Sequence, residues 1–189
     1  MKKIVIFASG GGSNAEAIMK HFSGRENIRV SGVFTNNPNA GVLQKAEKYG
    51  VPTVVFNRDD MNGDVVLYKL DAIKPDLIVL AGFLWKFPGH IVQQYPDKII
   101  NIHPALLPNY GGKGMYGLHV HTAVHNNKEK ESGITIHFVN EHYDEGNIIF
   151  QASVALDDCA TPQDIAAKVL QLEHKYFPAV IEDLLKQKG

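Results

Sequence analysis

The stretch KIVIFASGGGSNAEAI, from Lys3 to Ile18, decides the fold class. Its first residues are apolar and rich in β-branched side chains, which is typical of a strand buried on both faces. Three glycines then let the chain turn tightly, and the residues after them have the spacing of a helix that begins at Ser13. A strand that passes through a glycine turn into a helix is the first unit of an α/β sheet.

The same alternation continues along the chain. Apolar runs predict five strands, at Lys3–Ala8, Arg29–Thr35, Thr53–Phe56, Asp76–Leu80 and Ile99–Asn101. Helical spacing predicts four helices, at Ser13–Phe22, Ala40–Tyr49, Val65–Ile73 and Pro88–Tyr95. This order predicts a Rossmann-like, mostly parallel sheet flanked by helices, with right-handed crossovers.

The pattern changes in the last third of the chain. A further helix is predicted at His119–Asn127, followed by two strands at Ile134–Val139 and Asn147–Leu156 that are close enough to form an antiparallel pair. The last helix should begin with Thr161 as N-cap, Pro162 at the first position and Asp164 in the first turn. Its pattern extends to about Lys186.

Charge and cysteine content exclude several classes of protein. The 189 residues carry a net charge of −1 with both signs scattered, which gives no basic surface for nucleic acid or an anionic membrane. A single cysteine, Cys159, allows no internal disulfide and suits a reducing compartment. No apolar run fits a signal peptide or approaches the roughly 20 residues of a membrane span. We expect a cytoplasmic protein with one domain, residues 1–189, and with no nucleic-acid or membrane partner.

The glycine turn after the first strand predicts an anion site. Free N–H groups at the start of a helix and the helix dipole both favour a phosphate. Residues Gly10 to Ala15 also satisfy the dinucleotide fingerprint G-x-G-x-x-G/A, which would suit a nicotinamide-dependent oxidoreductase. That function additionally needs an acidic residue at the end of the second strand, where this chain reads FTNNP, residues 34–38. The missing carboxylate favours a single phosphate over a dinucleotide.

Polar side chains also mark the end of the fifth predicted strand. Residues two apart in an extended segment point the same way, so Asn101 and His103 should share one face. Pro104 cannot donate to a ladder and should end the strand at an edge where open α/β sheets bind ligands. A third polar group, Asp144, lies in the turn NEHYDEGN, although acidic residues are common in turns for conformational reasons alone.

Taken together, these motifs resemble the phosphoribosylglycinamide formyltransferase family, the folate-dependent enzymes of purine biosynthesis. The resemblance covers nearly the whole chain and rests on SGGGSN, LAGF, NIHPALLP, GLHVH, GITIHFV, YDEGNIIFQ and LEHKYFP. It implies the formyltransferase fold. It also implies formyl transfer from 10-formyltetrahydrofolate, as co-substrate, to the amine of glycinamide ribonucleotide, without a metal, by a monomer or homodimer.

The resemblance assigns roles to individual residues. The catalytic trio would be Asn101, His103 and Asp144. The ribonucleotide would be bound by Gly12, Ser13, Asn14 and Glu173. The folate would be bound by Leu84, Trp85, Lys86, Phe87, Asn101, Asn140, Glu141, His142, Tyr143 and Asp144. Residues 1–100 would form the ribonucleotide-binding half, and residues 101–189 the catalytic and folate-binding half.

These side-chain types suit the chemistry. Attack of a neutral amine on a formyl carbon develops negative charge on oxygen and positive charge on nitrogen. An Asn amide is a neutral donor suited to the oxyanion, and a His can relay the proton that the amine must lose. A nearby carboxylate stabilises the imidazolium and raises its pKa.

Some positions depart from the family pattern. In the LAGF-x-x segment, where many members carry a basic residue, this chain has Trp85 followed by Lys86. Leu170 is apolar where some members place a phosphate-binding lysine. Segment 109–116 is longer and richer in glycine than in several relatives, and its Lys113 is a candidate replacement for that phosphate contact.

Other interpretations compete with this one. His121 and His125 are four apart on a predicted helix, as in some metal sites, but no third ligand is evident, so we expect no metal. His137 lies at a polar position in the alternating pattern ITIHFV of its predicted strand. We expect it to be a hydrogen-bonded strand residue rather than a catalyst. Another folate-dependent formyltransferase or a formyltetrahydrofolate hydrolase is the main alternative function, although those enzymes carry an extra domain. A non-catalytic phosphate-binding module would leave the trio unexplained.

Overall fold

A computed structural model describes residues 1–187, which build one seven-stranded sheet. Its strands are β1 (Lys2–Phe7), β2 (Ile28–Thr35), β3 (Thr53–Val55), β4 (Leu77–Leu80), β5 (Ile99–His103), β6 (Glu131–Phe138) and β7 (Ile148–Ala155). Its helices are α1 (Ser13–Phe22), α2 (Val42–Lys48), α3 (Arg58–Asn62), α4 (Val65–Ile73), α5 (Gly89–Gln94), α6 (Leu118–Asn126) and α7 (Pro162–Gln187).

The strands lie in the order β3-β2-β1-β4-β5-β6-β7. Strands β1 to β5 pair in parallel, whereas β6 pairs antiparallel with both β5 and β7. The predicted Rossmann-like sheet with an antiparallel strand pair near the C-terminus is therefore confirmed.

Most predicted bounds shift by one or two residues, and the differences that matter for the site or the element order are in β6, β5 and α3. Strand β6 begins at Glu131, not Ile134, because its first residues pair with β7. Strand β5 continues past Asn101 to His103, which is paired with β6. Helix α3 was not predicted; it forms because the Asn57 and Asp60 side chains each accept the other's backbone N–H, a capping box.

The sheet is covered on both faces. Ile4 and Ile6 of β1 point to one face, where they pack in a cluster that includes residues of α1 and α7. Val5 and Phe7 point to the other face, where they pack with residues of α4 and α5. This burial on both sides explains why β1 reads as a continuous apolar run rather than an alternating one.

The start of α7 follows the predicted cap. The Thr161 hydroxyl accepts from the Asp164 N–H (3.2 Å), and the Asp164 carboxylate accepts in turn from the Thr161 N–H (2.8 Å). This long helix then lies against α1 and α6, with Phe177 fully buried. In the described part of the chain, no helix is both long and apolar enough to cross a membrane.

Candidate active site

A cavity of about 690 Å³ opens at the carboxyl ends of β4 and β5. Its walls come from these strand ends, the segment after β4, residues 112–118, the β6–β7 turn and α7. The predicted site residues that line it are Asn14, Leu84, Trp85, Lys86, Phe87, Asn101, His103, Asn140, His142, Tyr143, Asp144 and Glu173. The other predicted site residues, Gly12, Ser13 and Glu141, lie outside this lining.

Strand β5 delivers two polar side chains to the cavity. Its alternate residues Ile100 and Ile102 are buried in the apolar core, so Asn101 and His103 face the opposite side, as predicted. His103 is only 3 % exposed. The strand thus holds an amide and an imidazole side by side on a rigid element.

His137, predicted to be a hydrogen-bonded strand residue, lies directly opposite Asn101 in the register of β5 and β6. Its Nδ1 donates to the Phe138 carbonyl oxygen (2.8 Å), so in the neutral ring Nε2 is an acceptor. Asn101 Nδ2 lies 3.2 Å from that Nε2 and donates to it. One amide hydrogen of Asn101 is therefore engaged by His137, and the other is left for the cavity.

Asp144 reaches the same place from the turn between β6 and β7. Its Oδ2 accepts from the Gly112 N–H (2.9 Å) and lies 3.6 Å from His103 Nδ1. Its Oδ1 lies 3.5 Å from His137 Nε2. The turn needs Gly146, since a Cβ there would overlap the Phe138 carbonyl oxygen at 1.7 Å. The carboxylate is thus held between two imidazoles.

Burial and the neighbouring groups act in opposite directions on the pKa of Asp144, and partly so on the pKa of His103. Burial lowers the pKa of His103 below its usual value, while the charge of Asp144 and the carbonyl of Tyr110 oppose that effect and His137 adds to it. Burial raises the pKa of Asp144, but His137, His103 and the Gly112 N–H outweigh it, so that pKa ends below its usual value. A neutral, buried imidazole therefore faces an ionised carboxylate.

The backbone after His103 is fixed by two side chains that sequence analysis did not single out. Thr135, opposite His103 in the sheet, donates to the Ala105 carbonyl (2.7 Å) and accepts from the Leu107 N–H (3.0 Å). Gln151 on β7 donates to both Thr135 Oγ1 (2.9 Å) and the Leu107 carbonyl (3.0 Å). These bonds hold the loop that follows β5.

Another wall of the cavity joins α1 to α7. The Asn14 amide donates to Glu173 Oε2 at 2.7 Å, and Glu173 is 8 % exposed. Burial raises the pKa of Glu173, with the Asn14 hydrogen bond opposing it. Within residues 1–187, Asn14 Oδ1 is buried without a hydrogen-bond partner. This pair leaves polar groups that a ligand can satisfy.

The glycine turn is built for a close backbone approach. Gly12, the N-cap of α1, has φ 68°, and a Cβ there would lie 2.5 Å from Val42 Cγ2. Among the described residues, no side chain caps this helix. The first N–H groups of α1 are therefore available to an anion, as the glycine pattern predicts.

The predicted folate segment after β4 combines aromatic and aliphatic groups. Phe87 packs edge-on against Phe7 with ring centroids 5.1 Å apart, which ties this wall to the core. Trp85 lines the cavity, and the Arg58 guanidinium lies over its ring at 4.3 Å from the centroid. The Leu84 N–H is held by Ser9 Oγ (3.0 Å).

The second predicted folate segment divides between two directions. Asn140 Oδ1 accepts from the His142 N–H (2.9 Å), which shapes the turn, and Tyr143 lines the cavity. The Glu141 carboxylate instead accepts from Gln93 Nε2 on α5 (2.8 Å). Glu141 therefore faces a helix rather than the cavity.

The remaining histidines do not form a metal cluster. His121 lines the cavity, and burial together with the nearby His103 lowers its pKa to about 4. His125 Nε2 contacts the Ala160 carbonyl oxygen at 3.0 Å. Among residues 1–187, no three His, Cys, Asp or Glu side chains are grouped so as to hold a metal ion.

Comparison with known proteins identifies relatives across almost the whole chain. Residues 2–181 match the model of the formyl transferase family. The chain is 40 % identical over 194 residues to the chloroplastic phosphoribosylglycinamide formyltransferase of Arabidopsis thaliana, covering 99 % of this chain and 66 % of that protein. It is 35 % identical to phosphoribosylglycinamide formyltransferase of Bacillus subtilis, covering 98 % of this chain and 95 % of that protein.

Solved structures give the same result. The crystal structure of phosphoribosylglycinamide formyltransferase from Anaplasma phagocytophilum is similar with a TM-score of 0.90 and 34 % identity, covering 98 % of this chain and 87 % of that one. The chain spans just under two thirds of the Arabidopsis relative but nearly all of the Bacillus one.

Proposed function

The chain belongs to the formyl transferase family, and from this membership we propose that it transfers a formyl group from 10-formyltetrahydrofolate to the amine of glycinamide ribonucleotide. The products are formylglycinamide ribonucleotide and tetrahydrofolate, a step of purine biosynthesis. The observation that carries the proposal is the convergence of Asn101, His103 and Asp144 on one cavity that also holds the Asn14–Glu173 pair. The relatives named above are phosphoribosylglycinamide formyltransferases, which supports the same reaction.

The trio divides the work of the acyl transfer. When the amine nitrogen bonds to the formyl carbon, the carbonyl electron pair moves to oxygen, and the free amide hydrogen of Asn101 stabilises that oxyanion. His103 accepts the proton that the amine loses, and Asp144 stabilises the resulting imidazolium. Collapse of the intermediate breaks the bond from carbon to the folate nitrogen, which takes up a proton as it leaves. No metal is needed for these steps.

The ribonucleotide is assigned to the wall between α1 and α7. The free N–H groups at Gly12, Ser13 and Asn14 suit its phosphate, and Glu173 suits the hydrogen-bond donors of its glycinamide end. Lys113, which lines the cavity, is the proposed cationic partner of the phosphate, since Leu170 on α7 is apolar. The folate is assigned to the wall made by residues 84–87 and the β6–β7 turn.

Several broader expectations remain proposals. We divide the chain into a ribonucleotide-binding half, residues 1–100, and a catalytic and folate-binding half, residues 101–189. Each half also contributes residues to the wall assigned to the other substrate, because the cavity is lined by both. The balanced charge supports small-molecule partners without nucleic acid. A cytoplasmic location and a monomeric or homodimeric state complete the proposal, although the Arabidopsis relative is named as chloroplastic.

A coupled assay tests the reaction. The purified protein is mixed with glycinamide ribonucleotide and a 10-formylfolate, and deformylated folate is followed by absorbance. We expect absorbance to rise only when both substrates are present. A rise without the ribonucleotide would indicate a hydrolase, and a flat trace with verified substrates would refute the proposal.

A further inference from the structure

The imidazole of His103 has a fixed partner outside the trio. Its Nε2 lies 2.7 Å from the backbone carbonyl oxygen of Tyr110. A carbonyl oxygen only accepts hydrogen bonds, so Nε2 carries a hydrogen whether the ring is neutral or charged. The nitrogen that gains and loses a proton is then Nδ1, which faces Asp144 Oδ2 at 3.6 Å.

Tyr110 holds this carbonyl in an unusual backbone conformation. Its φ is 57°, in the left-handed region that residues other than Gly, Asn and Asp rarely adopt. A carbonyl aimed by such a conformation needs support from the surrounding structure.

The support comes from the Tyr110 side chain. Its phenol donates to Glu129 Oε1 (2.6 Å) and accepts from Asn127 Nδ2 (2.8 Å). Both partners lie just beyond the end of α6, and the ring also packs against the apolar core. The phenol thus ties residue 110 to two residues that lie 17 and 19 positions later in the chain.

We propose that Tyr110 is a positioning residue that fixes the tautomer of His103, so that the proton leaving the substrate amine is taken by Nδ1. The proposal rests on the proposed formyl transfer. In this step the amine N–H bond breaks, a bond from Nδ1 to hydrogen forms, and the imidazolium charge faces Asp144. The same proton is available to the folate nitrogen when it leaves.

Each neutral tautomer of His103 turns one nitrogen lone pair towards an oxygen, and the two distances decide between them. The Nε2 lone pair would meet the Tyr110 carbonyl oxygen at 2.7 Å, whereas the Nδ1 lone pair meets Asp144 Oδ2 at the longer distance of 3.6 Å, so hydrogen on Nε2 is favoured. The ring is buried, and its other titratable neighbours are Asp144, His137 and His121. Asp144 is the only carboxylate among those neighbours, and it faces Nδ1.

Two substitutions separate the backbone role of residue 110 from its side chain. Tyr110→Asn removes the phenol but tolerates the left-handed conformation, whereas Tyr110→Val removes the phenol and resists that conformation. Lys74→Val is the matched control, because Lys74 also has a positive φ (55°) but caps α4 away from the cavity. All three variants are compared by thermal unfolding before any other measurement.

Nitrogen-15 chemical shifts of the His103 ring report the tautomer directly. Wild type, Lys74→Val and Tyr110→Asn should show hydrogen on Nε2, while Tyr110→Val should show a mixture of tautomers. Hydrogen on Nδ1 in neutral wild type, or an unchanged tautomer in a folded Tyr110→Val, would overturn the proposal. This measurement needs no catalysis, so it distinguishes failure of the proposal from failure of the proposed function.

Kinetics supply the second readout. Turnover of Tyr110→Val should fall about tenfold or more below that of Tyr110→Asn, with little change in KM for the ribonucleotide. Its His103 limb in the pH profile should move towards acid, because the lost hydrogen bond favoured the imidazolium. If Tyr110→Val does not fold, Tyr110→Phe takes its place, because it loses only the hydrogen bonds of the phenol that hold residue 110. An acid shift of its His103 limb supports the proposal, and an unmoved His103 limb contradicts it.

Discussion

Asn101 can serve as an oxyanion donor because His137 engages only one of its amide hydrogens. Replacing Asn101 by Ala removes the donor without exposing a charge. We expect turnover to fall about a hundredfold or more, with modest changes in both KM values, because the interaction forms mainly in the transition state. Steady-state kinetics with each substrate varied in turn measure this. A loss confined to KM would instead identify Asn101 as a ground-state binding residue.

His103 and Asp144 should act as a unit, which their pH dependence can reveal. The Asp144 charge raises the pKa of His103 against the larger effect of burial. Asp144→Asn leaves burial unopposed, so that pKa falls and the His103 limb of the turnover profile should shift towards acid. The double variant His103→Ala/Asp144→Asn should be little worse than His103→Ala alone. Fully additive losses, or a wild-type profile for Asp144→Asn, would contradict this coupling.

The buried carboxylate of Glu173 is predicted to lower the stability of the fold while it binds the ribonucleotide. Burial raises its pKa above the unfolded value, so the native state binds this proton more tightly, and stability falls as pH rises through the window between those two pKa values. Glu173→Gln removes that penalty and still accepts from Asn14. We expect a flatter pH dependence of unfolding free energy and equal or higher stability at neutral pH, measured with urea.

The same variant should bind the ribonucleotide less well. Its KM for the ribonucleotide should rise about tenfold, because a charged hydrogen-bond acceptor is replaced by a neutral one. The KM for the folate provides the internal control and should stay near the wild-type value. Easier unfolding of Glu173→Gln at neutral pH would make Glu173 a structural residue.

At the scale of elements, the start of α1 combines a conformational and a packing requirement. Gly12→Ala meets both a positive φ and a contact of 2.5 Å with Val42, whereas Gly24→Ala meets only a positive φ (75°) with open space around it. The φ penalty is about 1 kcal/mol. We expect Gly12→Ala to lose more than that in chemical unfolding and to raise KM for the ribonucleotide several-fold more than for the folate. Equal KM effects for both substrates would argue against a phosphate site at this turn. The control Gly24→Ala should leave both KM values unchanged.

Local sequence signals predicted the elements well where one residue type decides the outcome. The cap at Thr161 and the glycine turn follow from short-range hydrogen bonding and backbone freedom. Helix α3 was overlooked although its capping residues, Asn57 and Asp60, are visible in the sequence. Its short length gave no helical periodicity to support that signal.

Contacts between elements were harder to predict. The alternation in ITIHFV puts Thr135 and His137 on one face, but only the register of β6 on β5 brings His137 to Asn101. The role of residue 110 is carried by a backbone carbonyl, for which side-chain identity gives no signal. The direction of Glu141 likewise depends on Gln93, which comes from a distant helix.

At the scale of the whole molecule, the fold gathers residues far apart in sequence into one cavity. Asn14 and Glu173 are 159 residues apart, and their hydrogen bond joins α1 to α7 across the site. The parallel strands bring their carboxyl ends to one edge, and the antiparallel pair adds Asp144. Both substrates are therefore expected to occupy one cavity at the same time.

Transfer of a carbon-13-labelled formyl group tests the central claim most directly. The protein is incubated with glycinamide ribonucleotide and 10-formyltetrahydrofolate labelled at the formyl carbon, and products are analysed by mass spectrometry. We predict that the label appears in the ribonucleotide in equal amount to the tetrahydrofolate formed, and that Asn101→Ala slows both together. Label recovered as free formate, or a ribonucleotide that stays unlabelled, would contradict the claim.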